Sequence, residues 1–418
     1  MRIGIAGPLA TADMAHLLEE DISALPGEMK GATLLVSLIE ALLREGHEVV
    51  AFTTEPALTP DRHTKVIARG RNFAVHYVPR RRYAIRPDRG SRGRMLDLFA
   101  LERHALTDAM KAARPDIIHA HWTYEFAAAA LDSGIPSLVT CHDSPWAILK
   151  IQRDLYRLGR YWMARSVLRR ARHLTVVSPY LVDELRSLAR APLHVVPNPL
   201  PDGVFSSGGI RSARDYNQHP PQIAMLLNGW SARKNPEAGL RAMRLIRAIH
   251  PDATMHLYGP GYGQGEQAQR WANEQQLADG LVFHGWTPYT QTMRELAGMD
   301  LLLHPAIEES FGMTIAEAMA QGLPVVAGER SGAVPWVLGG HGCAGELVDV
   351  RSPEAIAQAV LSILSDPALY ARYSAQGHER AIHNFSASSV ARAYLKHYRR
   401  VLKEHSSEPS NTSMERAA

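Results

Sequence analysis

His304-Pro305-Ala306-Ile307-Glu308-Glu309-Ser310-Phe311-Gly312-Met313-Thr314-Ile315-Ala316-Glu317-Ala318-Met319-Ala320-Gln321-Gly322-Leu323-Pro324 is the stretch on which the reading of this chain turns. Asp300-Leu301-Leu302-Leu303 before it and Val325-Val326-Ala327-Gly328 after it are apolar segments of strand length, so the pattern predicts strand, loop, helix, strand. Gly312 would open a helix whose Ile315, Ala318 and Met319 share one face, and Gly322-Leu323-Pro324 would end it. The unpaired N–H groups of Gly312, Met313 and Thr314 would then form the positive end of a helix dipole, a ready site for a phosphate. Glu309, before the helix, and Glu317, inside it, would flank that phosphate and accept hydrogen bonds from hydroxyl groups, such as a sugar on one side and a ribose on the other. Taken alone, two carboxylates at this spacing are more often ordinary charged residues beside a buried loop, and it is the surrounding residues that favour the site.

Outward from this motif, strand and helix patterns alternate along most of the chain, as in doubly wound α/β folds. Met1 to Gly7 reads as a first strand running into a glycine turn, Thr11 to Lys30 as an irregular loop, and Gly31 onward as an apolar helix before a strand from Glu48 to Thr53. Gly27 and Gly31 would let the backbone approach a ligand closely, or simply make a turn. Residues 69–94 carry Arg80, Arg81, Arg82, Arg86, Arg89, Arg92 and Arg94 among prolines and glycines, the composition of a mobile basic loop. That loop reads as solvated surface or as a site for an anionic acceptor or acidic lipid heads. Two buried strands, Pro115 to Trp122 and Pro136 to Asp143, deliver His119, His121, Trp122 and His142 to or near the carboxyl ends, where ligands bind in open parallel sheets. From Trp146 to Arg172 runs a basic amphipathic region with large aromatics, fitted to its own sheet or to a membrane surface. Polar, turn-rich sequence from Ser206 to Pro221 reads as a linker, after which the alternation restarts at Gln222. The expected domains are 1–205, 206–385, a closing helix at 386–405 that returns to the first domain, and a disordered polar tail at 406–418.

At 418 residues the chain exceeds what one core holds, so two domains are expected. A net charge of +4 and a pI near 9.0 suit an anionic ligand or a membrane surface without naming either. No nucleic-acid reader motif is present, and no such partner is expected. The two cysteines, Cys141 and Cys343, form no Cys-x-x-Cys pair and imply neither a disulfide framework nor zinc. With no signal-peptide pattern and no apolar run near the roughly 18 residues of a membrane span, the expected location is cytoplasmic, or peripheral at the inner face of a membrane.

Asp116 to His121, Thr140 to Asp143, Val176-Val177-Ser178, Val196-Pro197-Asn198, Asn228-Gly229 with Arg233-Lys234-Asn235, Glu309 to Glu317 with its continuation to Val326, and Ser331 to Val337 form a set of motifs. Through these the chain resembles the retaining family four of the glycosyltransferases. The resemblance implies the GT-B fold, two Rossmann-like domains with parallel sheets facing a central cleft, and a nucleoside-diphosphate sugar bound by the second domain. It implies that Glu317 holds the ribose, Glu309 the hydroxyls of the donor sugar, and Lys234 the diphosphate, together with the N–H groups from Gly312 to Thr314. His142 would reach the sugar from the first domain, Gly31 would lie by the diphosphate, and Arg233 and Phe311 would complete the donor site. His119, His121 and Trp122 are left as candidates for the acceptor side. Family members commonly carry Arg where this chain has Trp230, and Arg233 is the candidate to replace that charge. No Asp-x-Asp occurs, so neither metal nor cofactor is expected, and fixed cations and dipoles would meet the charge of the departing diphosphate. The implied activity is transfer of a hexose from a UDP- or GDP-sugar to a hydroxyl of a glycan, glycolipid or small glycoside. A sugar-nucleotide epimerase or hydrolase, or a binding protein without catalysis, are the rivals on the same scaffold. The sequence does not set the oligomeric state.

Overall fold

Runs of β-branched and leucine residues, apolar on both faces, make buried parallel strands. In the computed structural model, which describes residues 1–206, 208–216 and 218–407, they assemble into two sheets. The first contains β1 (Arg2–Ala6), β2 (Glu48–Glu55), β3 (Val66–Gly70), β4 (Phe73–Pro79), β5 (Ile117–His121), β6 (Ser137–Cys141), β7 (Leu174–Val176) and β8 (Leu193–Val195). Their order is β3-β4-β2-β1-β5-β6-β7-β8, parallel except for β3. The second contains β9 (Gln222–Leu226), β10 (Thr254–Tyr258), β11 (Leu281–Gly285), β12 (Leu301–His304), β13 (Val325–Gly328) and β14 (Gly345–Val348), all parallel, in the order β11-β10-β9-β12-β13-β14. Each sheet therefore has a switch point, between β1 and β5 and between β9 and β12, where neighbouring connections depart in opposite directions and leave a crevice at the carboxyl ends of the strands.

The chain divides into two units. The first takes Met1–Val177, Leu181–Pro199 and the chain from Ala387; the second takes Ser178–Tyr180 and Leu200–Ser386. The last helix, Ala387–Ser407, packs in the first unit against the helix Thr33–Arg44 and against β6. Its Tyr398 hydroxyl meets His119 Nδ1 at 2.7 Å, while His119 Nε2 meets Thr140 Oγ1 at 2.6 Å. In the second unit the helix Pro353–Ser365 begins as its sequence requires, with Ser352 accepting from the Ala355 N–H and Pro353 in the first turn.

Several expectations need correction. Of the tail expected at 406–418, Ser406 and Ser407 belong to the last helix, and the remainder lies outside the described residues. Thr11 to Lys30 is not wholly irregular but contains short helical turns at Thr11–Met14, Ala15–Leu17 and Ile22–Ala24. The basic region from Trp146 is two helices, Pro145–Ile151 and Leu155–Arg170, divided where Asp154 caps the second by accepting from the Arg157 N–H. Residues 208–216 do not run free: Arg211 donates to the carbonyls of Gln321 and Met299, and Arg214 pairs with Asp300 at 2.8 Å.

The largest correction concerns residues 69–94. Phe73, Val75 and Tyr77 are buried on β4, so part of the supposed loop is sheet. Arg81 is buried between Asp97, at 2.8 Å, and Glu102, at 2.6 Å. Burial works against its charge, and the two carboxylates more than reverse that. Arg94 spends one nitrogen on the carbonyls of Arg81 and Arg82, and Arg82 pairs with Glu28 at 2.7 Å. These arginines hold the segment together rather than waiting for an anion. Replacing Arg81 with Ala would leave Glu102 buried and unpaired, and should cost about 3–5 kcal/mol in urea-induced unfolding; a loss below about 1 kcal/mol would contradict this account.

Candidate active site

Gly312 opens the helix Met313–Ala320 in the left-handed conformation, φ +93°, which a residue with a Cβ adopts only with strain. The first bonds inside the helix run from the N–H groups of Ile315 and Ala316 to the Gly312 carbonyl. Among the described residues no side chain caps this end, so its leading N–H groups keep their dipole free for an anion. The loop before it is stitched to the loop after β9. Ile307 donates its N–H to Arg233 O at 2.8 Å, and Asn235, in the left-handed region, donates its side-chain amide to Pro305 O and Val350 O.

This stitching brings Lys234 to Glu309, its ammonium donating to Oε1. The same oxygen lies 3.2 Å from His304 Nε2, and His304 Nδ1 lies 3.2 Å from Thr314 Oγ1. Burial would raise the pKa of Glu309, but His304 and Lys234 together hold it well below the usual carboxylate range. Its backbone is fixed as firmly: Glu309 O accepts from the Ala333 N–H at 2.9 Å, and a Cβ on Gly332, φ +65°, would stand 2.5 Å from that carbonyl oxygen. Thus Ser331-Gly332-Ala333 serves as the wall against which the carboxylate loop is set.

Glu317, one stretch of helix further in, is buried and has a different environment. Its Oε1 accepts from the Tyr289 hydroxyl at 3.0 Å, and burial pushes its pKa up to about 7 against that hydrogen bond. The two carboxylates therefore differ in charge readiness. Arg233 donates from one nitrogen to the carbonyl and the carboxylate of Glu308, each at 3.1 Å. Trp230 turns into an aromatic group with Tyr262 and Trp271, ring centres 5.8 and 5.6 Å away. Phe311 is also core, edge-on to Phe385 at 5.3 Å and to Trp336 at 6.2 Å.

In the first unit, the carboxyl ends of β5 and β6 carry a second set of polar groups. His121 Nδ1 and His142 Nε2 are 2.9 Å apart, so a single proton lies between them and each ring fixes the other's tautomer. Burial holds His142 down at about 3 and His121 well below its usual range, so both rings are neutral near pH 7. Among the described residues their outer nitrogens, His121 Nε2 and His142 Nδ1, find no hydrogen-bond partner, nor do Thr123 Oγ1 and Asn198 Oδ1, all four being buried. Asn198 stands near enough to His142 to favour its charged form, against the larger effect of burial. Buried polar atoms left this way are free to bond a polar ligand or a water. Trp122 stacks on His142 at 4.3 Å from a left-handed backbone, φ 63°. His119, by contrast, is a core residue with both ring nitrogens engaged, and a Cβ on Gly31 would stand 2.3 Å from the Ala10 nitrogen, so that glycine accommodates backbone rather than a ligand.

The structure thus gathers Lys234, Glu309, Glu317 and the Gly312–Thr314 turn in the second unit, and His121, Trp122 and His142 in the first. His304, Thr314 Oγ1 and Tyr289 are additions. His304 ends β12 just as His121 ends β5, so the same strand-end signal could have singled it out; nothing in the sequence points to Tyr289.

Comparison with known proteins divides along the same line. Residues 215–380 match the family model described as glycosyl transferases group 1, and residues 31–202 match that of glycosyltransferase family 4. Glycogen synthase of Mycobacterium tuberculosis is 25% identical over 297 residues, 68% of this chain and 69% of that protein. Among solved structures, sucrose-phosphate synthase from Thermosynechococcus elongatus superposes with a TM-score of 0.72 at 19% identity, covering 97% of this chain and 100% of that one. Anabaena HepE in complex with UDP and glucose gives 0.67 at 16% identity, covering 96% and 100%.

The environment of Glu317 makes a pH-dependent prediction. A carboxyl whose pKa rises on folding, here from 4.5 to about 7, binds more protons in the folded state, so stability falls as pH rises through that window. Glu317→Gln keeps the acceptor for Tyr289 without the charge. It should melt higher than the parent above pH 7, by the equivalent of up to about 3 kcal/mol, and converge with it at acid pH. Equal melting curves on both sides of the window would show that Glu317 carries no such burial penalty.

Proposed function

The chain belongs to the group 1 glycosyltransferases, and from that premise we propose that it moves a hexose from a UDP- or GDP-sugar to an acceptor hydroxyl, with retention and without a metal ion. The observation that carries this reading is the Lys234–Glu309 pair beside the helix end opened by Gly312. The GT-B fold supports it, and UDP, the nucleotide in complex with Anabaena HepE, suggests the donor class.

In the proposed mechanism Lys234 leaves Glu309 for the diphosphate when the donor binds. There the ammonium and the N–H groups from Gly312 to Thr314 face the charge that grows as the sugar's C1–O bond breaks. Glu309 remains ionised after losing its lysine because His304 still contacts Oε1 at 3.2 Å, and it turns its free lone pairs to the sugar hydroxyls. Glu317, with Tyr289 on one oxygen, receives the ribose hydroxyls on the other. The acceptor oxygen bonds to C1 on the face the diphosphate leaves, and its proton passes to a phosphate oxygen. Glu309 orients and does not attack. In the first unit His142 offers a neutral ring nitrogen as a hydrogen-bonding group, in a tautomer set by His121. The acceptor is a glycan, a glycolipid or a small glycoside. Arg233, tied to Glu308, is not assigned the charge missing at Trp230.

Thermal shift with UDP, GDP and their sugars identifies the donor, because a ligand raises apparent stability according to its affinity. With that donor, Lys234→Ala and Glu309→Ala should each lower turnover by about 10²–10³-fold while the melting curve stays cooperative. Undiminished transfer in both variants would rule out this site. EDTA should leave the rate unchanged, and the product should keep the donor's anomeric configuration; free sugar in place of a glycoside would mean hydrolysis instead.

A further inference from the structure

The helix Leu155–Arg170 turns Met163, Ala164, Val167 and Leu168 into the first unit's core. The opposite stripe of such a helix is ordinarily polar. Here it reads Leu155, Leu158, Trp162, Arg165, Arg169 at helical spacing, with Leu155 77% and Trp162 55% exposed. The apolar half continues beyond the helix. Leu155 and Leu158 share a shallow groove with Ile85 and Leu149, and Tyr161 links Trp162 to the exposed Trp146, ring centres 5.9 and 5.7 Å apart. Gly159 lies so close to the turn Arg94–Asp97 that a Cβ would stand 2.2 Å from Met95 Sδ, which sets the exposed Leu96 near the same surface. An exposed apolar patch this broad marks a contact surface.

Its charge selects the contact. Between residues 145 and 170 the sequence holds seven basic residues and one acidic residue, Asp154, which is occupied by Arg157 at 3.0 Å. Arg160 and Arg170 are paired with Glu125 and Asp132, but among the described residues no carboxylate pairs with Lys150, Arg153, Arg165 or Arg169. Lys150 lies over the Trp146 ring at 5.3 Å and Arg165 over the Trp162 ring at 5.8 Å, an apolar body with a cationic tip in each case. A second copy of the chain would set these cations against their own kind, and a small soluble ligand would not need so wide an apolar surface. Among the described residues no helix is long and apolar enough to cross a membrane. We propose that the face formed by Trp146, Leu155, Leu158 and Trp162 with its flanking arginines is a docking surface for a bilayer containing anionic lipids, bound peripherally. Leucine and tryptophan enter the headgroup boundary while lysine and arginine meet lipid phosphate. This inference does not depend on the donor or the mechanism of transfer.

Sedimentation of the full chain with phosphatidylcholine vesicles, with and without phosphatidylglycerol, tests it. The protein should pellet with the anionic vesicles, less so as salt is added, and little with phosphatidylcholine alone. Leu155→Glu combined with Trp162→Glu should lower binding by tenfold or more with an unchanged melting temperature, since both side chains are largely outside the core. Arg165→Gln and Arg169→Gln should each weaken binding by about fivefold. Failure to pellet with anionic vesicles, or full binding by the double variant, would overturn the proposal. So would self-association in light scattering that the double variant abolishes, which would identify a second copy as the occupant.

Discussion

A carboxylate largely shut off from water stays ionised only where donors converge on it, and at Glu309 that requirement organises the second unit. Only 12% of its side chain is exposed, yet it is held acidic by His304, which ends β12, and by Lys234, from the loop after β9. The lysine arrives because the loop after β9 is hydrogen-bonded to the loop after β12, and the histidine because β12 ends there. Gly312 and Gly332 then allow the backbone to turn and to pack where a side chain would not fit. The sheet order is what places these pieces together, since β9 and β12 are neighbours that diverge at the switch point.

The first unit uses a different device. Its strand-end groups are neutral, kept so by burial, and what they offer is directional bonding from unsatisfied ring nitrogens. Charge in that unit is instead turned inward as structure, in the pairing of Arg81 with Asp97 and Glu102, or outward along the helix after Asp154. Three uses of basic or titratable residues thus coexist in one unit, and composition alone does not separate them.

That distinction explains what could be read from the sequence. Parallel strands buried on both faces leave runs such as Leu301-Leu302-Leu303, so the alternation of elements and the motif around Gly312 were legible. The hairpin of β3 and β4 was hidden beside an arginine-rich segment whose buried member, Arg81, has partners 16 and 21 residues away. His119 looked like a strand-end ligand because its partner Tyr398 stands 279 residues further on. Phe311 looked like part of the donor site because its neighbours Trp336 and Phe385 are equally remote in sequence. Lys234, 75 residues before Glu309, could be linked to it only through family resemblance, which encodes a tertiary contact that periodicity does not. Local pattern revealed elements; long-range partners decided which polar residues were core and which were left for a ligand.

The last helix has a consequence for how the molecule is made. Tyr394 and Tyr398 close the bonding of Thr140 and His119 at the centre of the first sheet, so the unit that begins the chain lacks part of its core until nearly all of the chain has emerged from the ribosome. The second unit is almost continuous from Leu200 to Ser386 and has its parts in hand sooner. During synthesis the order of completion therefore runs against the order of the sequence, and the unit translated first is the one finished last.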